Sequence, residues 1–166
     1  MNIYATRVLT SAPVFLFAFA SMVYALTASY MDYKIQNQTI GVHVDKVCVG
    51  DMCESESPLV DPAKGKFLMA MYIIMLLVSL ACFGLYVAGN KYYSGVGIVA
   101  LVGALTLIIA VPVIVSTSTY SISFMGQTMK FSPTMSTASI LVLIACIFIV
   151  IKQFFNNRIL HSLVGK

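Results

Sequence analysis

The sequence predicts a membrane all-α fold: a four-transmembrane-helix bundle with a small antiparallel extracellular β-sheet built from its two outer loops. Three observations carry that expectation. The chain has 166 residues, 60% of them hydrophobic and 10% charged. Soluble domains average about 25% charged residues, so this chain cannot cover a water-facing surface. Residues 8–30, 67–90, 92–129 and 131–151 form four blocks without Asp, Glu, Lys, Arg or His. Finally, all six acidic residues fall between the first two blocks.

A hydrocarbon core of about 30 Å needs about 20 helical residues. The third block ends in a polar tail, so its span is trimmed. We place the helices at about residues 8–30, 67–89, 94–116 and 135–155, with outer loops at 31–66 and 117–134. The whole chain, 1–166, then reads as one membrane domain. Within the first block, Ala18-Phe19-Ala20 has the small-x-small form of a leader cleavage site. The apolar stretch continues to Tyr30, long enough to span, so a retained helix is expected. In the second block, eleven Leu, Ile, Val or Phe lie between Phe67 and Gly89. Together they favour insertion by roughly 3 to 7 kcal/mol. Pro112 is expected to kink or end the third helix near its outer end.

Charge placement sets the orientation. The N-terminus carries Arg7, the middle turn Lys91, and the tail Lys152, Arg158 and Lys166; none of these segments has an acid. Asp32, Asp45, Asp51, Glu54, Glu56 and Asp61 share the first loop with Lys34, Lys46, Lys64 and Lys66. Short basic loops stay in the cytosol, so both termini are expected there and both long loops outside. The tail's three cations fall short of the clusters of 4–8 that mark lipid-binding segments. They read as a topology signal, and nucleic acid is not an expected partner.

The first loop carries a strand pattern. Ile40, Val42 and Val44 alternate with Gly41 and His43. Gly50-Asp51 then suits a two-residue hairpin turn with glycine first. That turn sets Val49 opposite Met52 and Cys48 opposite Cys53, a non-hydrogen-bonded pair with Cα atoms about 4.5 Å apart. This is disulfide range, and an outer loop is oxidising. A structural disulfide Cys48–Cys53 follows, which constrains the unfolded chain by roughly 2 kcal/mol. In the second loop Tyr120, Ile122 and Phe124 alternate, Gly126-Gln127 can turn, and Met129 and Phe131 alternate back. A lone hairpin is marginal in water, so the two loops are expected to share one sheet. Asn37-Gln38-Thr39 is a glycosylation sequon, which makes Asn37 a candidate acceptor.

The four blocks contain no ionisable group of the kind that marks proton relays or ion paths. No phosphate loop, metal-spaced His pair or nucleophile set is present, so neither an enzyme, a metal nor a cofactor is expected. His43 and His161 are isolated and read as solvated. The helices instead show close-packing ladders: Ser21, Ala25 and Ser29; Gly84 and Ala88; Ala100 and Ala104. Small residues at this spacing let helices approach closely in lipid. They serve the chain's own bundle or a partner's helix. Cys82 and Cys146 read as small apolar fillers.

Four spans with cytosolic ends, a longer first outer loop with strands and a cysteine pair, and a shorter second loop resemble the claudin and peripheral-myelin-protein superfamily. The resemblance covers nearly the whole chain as topology. His43-Val44-Asp45 stands where the family has Gly-Leu-Trp, the chain has no Trp, and its cysteine spacing is shorter than the family's. Cys48 and Cys53 carry over as the loop disulfide, and Lys64 stands near a position where many members place a basic residue. The resemblance implies a plasma-membrane protein that builds cell contacts or serves as an accessory subunit of a channel or receptor. Its partners would be membrane lipid and other membrane proteins, in a hetero-complex or a homo-oligomer. Two alternatives are a small pore-forming or transport protein and a thiol–disulfide membrane oxidoreductase. The latter chemistry needs a reactive Cys-x-x-Cys and a second loop pair as relay. Here four residues separate Cys48 from Cys53, and the second outer loop has no cysteine.

Overall fold

The computed structural model describes residues 3–35, 38–55, 57, 59, 61–88, 92–124 and 127–164, without the side chains of 3–10, 93, 94, 122, 124 and 155–164. Asn37, Glu56, Lys91, Gly126 and Lys166 lie outside the described residues, as do the side chains of Arg7, Arg158 and His161.

The apolar blocks fold as four helices: α1 (Ile3–Thr27), α2 (Pro62–Val87), α3 (Tyr93–Thr117) and α4 (Thr137–Val164). Three helical stretches are long and apolar enough to cross a membrane: Pro62–Val87, Gly95–Thr117 and Thr137–Phe154. The described apolar run of α1, Ser11–Thr27, is shorter. The helices pack in a ring, α1 against α2 and α4, and α3 against the same two. Each buries one stripe at alternating four- and three-residue spacing: Phe15, Ala18, Met22 and Ala25 in α1, and Ala100, Ala104, Leu107 and Val111 in α3. In α2 the stripe is Gly65, Leu68, Tyr72, Met75, Ser79 and Cys82. Leu77, Leu80, Ile98, Val102, Ile109 and Ile147 point outward. An apolar exterior of this kind suits lipid rather than water.

Element ends differ from the expected ones for local reasons. α2 begins five residues early because Asp61 caps it, its Oδ1 accepting from the N–H groups of Ala63 and Lys64 at 3.0 and 3.3 Å. Pro62 follows at the first helical position, where a missing N–H costs nothing. Pro112 does not end α3, which runs on to Thr117. A helix broken within an apolar layer would leave several backbone groups unpaired, a greater cost than one lost bond. α3 stops instead among hydroxyls: Thr117 Oγ1 donates to Val113 O at 2.8 Å and Ser118 Oγ to Ile114 O at 2.6 Å.

Among the described residues seven strands lie between the helices: β1 (Met31–Ile35), β2 (Gln38–Val42), β3 (Val47–Val49), β4 (Met52–Glu54), β5 (Tyr120–Phe124), β6 (Gln127–Phe131) and β7 (Thr134–Met135). Five form an antiparallel sheet in the order β4-β3-β2-β1-β7. β5 and β6 pair separately. The two loops thus share a sheet, as expected, but through β7 (Met31 opposite Met135) and not through the second hairpin. That hairpin's turn also shifts, because Gln127 already pairs with Phe124.

Sheet and bundle meet at Gly65. A Cβ there would lie 2.0 Å from Val44 O, a backbone atom that cannot swing aside. At Gly103 a Cβ would meet Met75 Sδ at 2.3 Å, the far end of a flexible side chain. Gly65→Ala should therefore lower stability by about 1–3 kcal/mol, the usual cost of overpacking, and Gly103→Ala by less. Thermal melts of the purified variants in detergent check this; equal losses would contradict the rigid contact at Gly65.

Candidate functional site

Local chemistry explains the shape of the five-stranded sheet. Gly50 takes φ 59°, a left-handed conformation that suits glycine, and opens the Gly50-Asp51 turn. Val49 pairs with Met52, and Cys48 with Cys53. The two cysteines are joined, with Cα atoms 4.1 Å apart. β4 is wholly exposed, Met52 at 78%. It forms one edge of the sheet, next to the staple, with the acidic side chains of Asp51 and Glu54 beside it.

Polar side chains fasten the sheet to the ends of α1, α3 and α4. The chain leaving α1 is held by the start of α4: Ser136 Oγ donates to Ser29 O, and Ser139 Oγ donates to Tyr30 O at 2.5 Å. Ser136 Oγ also accepts from the N–H of Ser139 at 3.3 Å, capping α4. Tyr30 N–H donates to Val42 O at 2.8 Å. On the other side, Tyr33 OH donates to Ser118 O and Lys64 Nζ donates to Ser118 Oγ at 3.1 Å. Lys64 also lies 3.7 Å from Asp61. Around these groups is a polar cavity of about 170 Å3, lined by Tyr33, Asp61, Lys64, Ser118 and Tyr120 among others. His43 is not a free surface histidine. Its Nδ1 lies 3.1 Å from Thr27 O, so the proton sits on Nδ1, because a carbonyl can only accept.

The ladder residues separate into two groups. Ser21, Ala25, Ala100 and Ala104 are buried between helices. Gly84 and Ala88 face outward, and nothing lies within 4 Å of a Cβ added at Gly84. Ser29 lies beyond the end of α1, where its Oγ donates to Asp32 Oδ1 at 2.8 Å. Cys82 and Cys146 are free thiols in the core. Lys152, counted with the tail in the sequence, lies inside α4 and turns inward to Ser11 Oγ at 2.7 Å. Spacing could not have revealed that inward turn, because Lys152 stands at the boundary of its apolar block. Among the described residues no group of three His, Cys, Asp or Glu could hold a metal ion.

The chain matches no family model and no curated protein. Its geometry defines a class: a helical bundle with an apolar exterior carrying a small disulfide-stapled antiparallel sheet.

Burial pushes the Tyr30 phenol up to about 12, with smaller contributions from Tyr33 and Asp61. Its folded value exceeds the unfolded value of about 10, so the stabilisation is complete below about pH 10 and is lost as pH rises towards 12. Alkaline melts should show the sheet–helix joint failing across that window, and Tyr30→Phe should flatten the profile; an unchanged profile would remove Tyr30 from the account. Mass spectrometry of a non-reduced digest should recover Cys48 linked to Cys53, with Cys82 and Cys146 free. A free thiol at Cys48 in oxidised material would remove the staple.

Proposed function

We propose that this chain is a four-span integral membrane protein of the plasma membrane, with cytosolic termini, that works by contact as a divergent claudin-like protein. In this reading its outer sheet docks to a neighbouring protein, and its helices pack laterally on a membrane partner. It serves as a cell-contact component or as an accessory subunit of a channel or receptor, and it has no turnover of its own. The observation that carries the reading is the mounting of the sheet. A surface stapled at Cys48–Cys53 and fastened to helix ends through Tyr33 and Ser139 loses less entropy on binding than a mobile loop. Its exposed edge, β4, presents backbone groups of the kind to which another strand can add. The outward placement of Gly84 and Ala88 supports a lateral close-packing face on α2, separate from the buried Ala25 and Ala104.

Single reporter cysteines at Thr128 and at the C-terminus test the orientation. Only the first should label from outside intact cells, and tail labelling would reverse the topology. A photo-crosslinker at Met52 should capture a protein neighbour on the cell surface, and Cys48→Ser should weaken that capture. Gly84→Leu and Ala88→Leu should loosen lateral assembly with the bundle intact. Ala104→Leu should instead lower bundle stability by about 1–3 kcal/mol. Reconstitution of the purified protein alone in liposomes is the sharpest check. Robust ion flux, or quinone-linked thiol oxidation, would falsify the contact reading in favour of a pore or an oxidoreductase.

A further inference from the structure

The contact reading leaves Lys152 unexplained. It lies within the apolar stretch Thr137–Phe154 of a helix that continues to Val164. Its ammonium turns toward the bundle. Nζ donates to Ser11 Oγ at 2.7 Å and sits 4.9 Å from the centre of the Tyr86 ring. Ser11 is fully buried, and Gln153, the next residue, is 4% exposed. Lys152 is thus half-buried where α1, α2 and α4 meet.

Both contacts are neutral: a hydroxyl and a π-face. An ammonium has three N–H donors, and a half-buried cation calls for a countercharge. This chain has no side chain to supply one. Its first acid is Asp32 and its last is Asp61, so every acid lies between α1 and α2 in the sequence. Outside that segment the sequence adds only cations, Arg7, Lys91, Lys130, Arg158 and Lys166 among them.

Depth identifies where the countercharge comes from. Lys152 lies fifteen residues into α4 from Thr137, about 22 Å at 1.5 Å per residue. Ser11 lies sixteen residues from Thr27 in α1, about 24 Å from the same outer end. In a hydrocarbon core of about 30 Å, a lysine at that depth stands within about one side-chain length of the inner boundary. Lipid phosphates stand there. Ile151 and Phe154 are exposed beside it and offer apolar surface to acyl chains.

We infer that Lys152, positioned by Ser11 and Tyr86, binds the phosphate of an anionic phospholipid of the inner leaflet at the junction of α1, α2 and α4. The inference rests on the spanning orientation proposed above, but not on the contact function. That no Asp or Glu lies outside the segment between α1 and α2 favours an anionic over a zwitterionic headgroup.

Native mass spectrometry of the full chain from micelles doped equally with phosphatidylglycerol and phosphatidylcholine tests the assignment. The wild type should retain phosphatidylglycerol preferentially, by about five- to tenfold for one such contact. Lys152→Gln should abolish that preference, whereas Lys152→Arg and the tail control Lys166→Gln should keep it. Inorganic phosphate should not displace the lipid. If Lys152→Gln does not fold, Ser11→Ala and Tyr86→Leu, which leave the charge in place, should each weaken the preference. An unchanged preference in a folded Lys152→Gln would overturn the assignment, and so would equal loss in Lys166→Gln. Displacement by inorganic phosphate would assign a free-anion site instead and overturn the lipid. The measurement uses isolated protein without a partner, so its failure leaves the contact reading standing, and tail labelling separately reads the orientation.

Discussion

The structure depends on one polar joint, where the chain leaves α1. Backbone groups emerging from an apolar helix must find partners, since unpaired buried carbonyls and amides are costly. Here the carbonyls of Ser29 and Tyr30 accept from the hydroxyls of Ser136 and Ser139 at the start of α4. That joint holds β7 beside β1, links the two outer loops in one sheet, and sets the sheet squarely on the bundle. Tyr30 itself is buried at 1% exposure, so the joint is apolar-packed as well as hydrogen-bonded.

The bundle beneath is organised by size as much as by hydrophobicity. In lipid there is little hydrophobic drive between helices, so close approach and dispersion must hold them. Ala18 and Ala25 in α1, Ala100 and Ala104 in α3, and Ala138 and Ala145 in α4 are all buried. Between these small residues sit larger ones such as Phe15, Met75 and Leu107, and Gly103 makes room for Met75. Among the described residues Tyr72 and Ser79 are the exceptions in this packing: their hydroxyls are buried without a hydrogen-bond partner. The sheet meets this core at Gly65, where the backbone of α2 touches the turn between β2 and β3.

Charge is divided as sharply as size. Acids are confined to the sheet end, where Asp61 serves as both a helix cap and the partner of Lys64. Outside the segment between α1 and α2 the sequence holds cations alone. Among the described residues Lys152, which turns into the bundle, meets a hydroxyl and a π-face, whereas Lys64 at the sheet end meets a carboxylate. The two lysines differ not in type but in which end of the molecule holds them.

The sequence by itself determined the four helices, the β3–β4 hairpin with its Gly50 turn, and the register that sets Cys48 against Cys53. These are local properties, read from unbroken apolar runs, period-two alternation and the backbone freedom of glycine. It also contained signals that were not read: Asp61-Pro62 announces the start of α2 earlier than the apolar block does. Only the tertiary structure decided that β7, two residues long, and not the longer β5–β6 hairpin joins the loops. Only it decided that Gly84 and Ala88 face outward while Ala100 and Ala104 face in, because identical spacings lie on either side of a helix that is apolar all round. The inward turn of Lys152 belongs to the same class. Ser11 and Tyr86 are distant in sequence and become its neighbours only when α1, α2 and α4 close together.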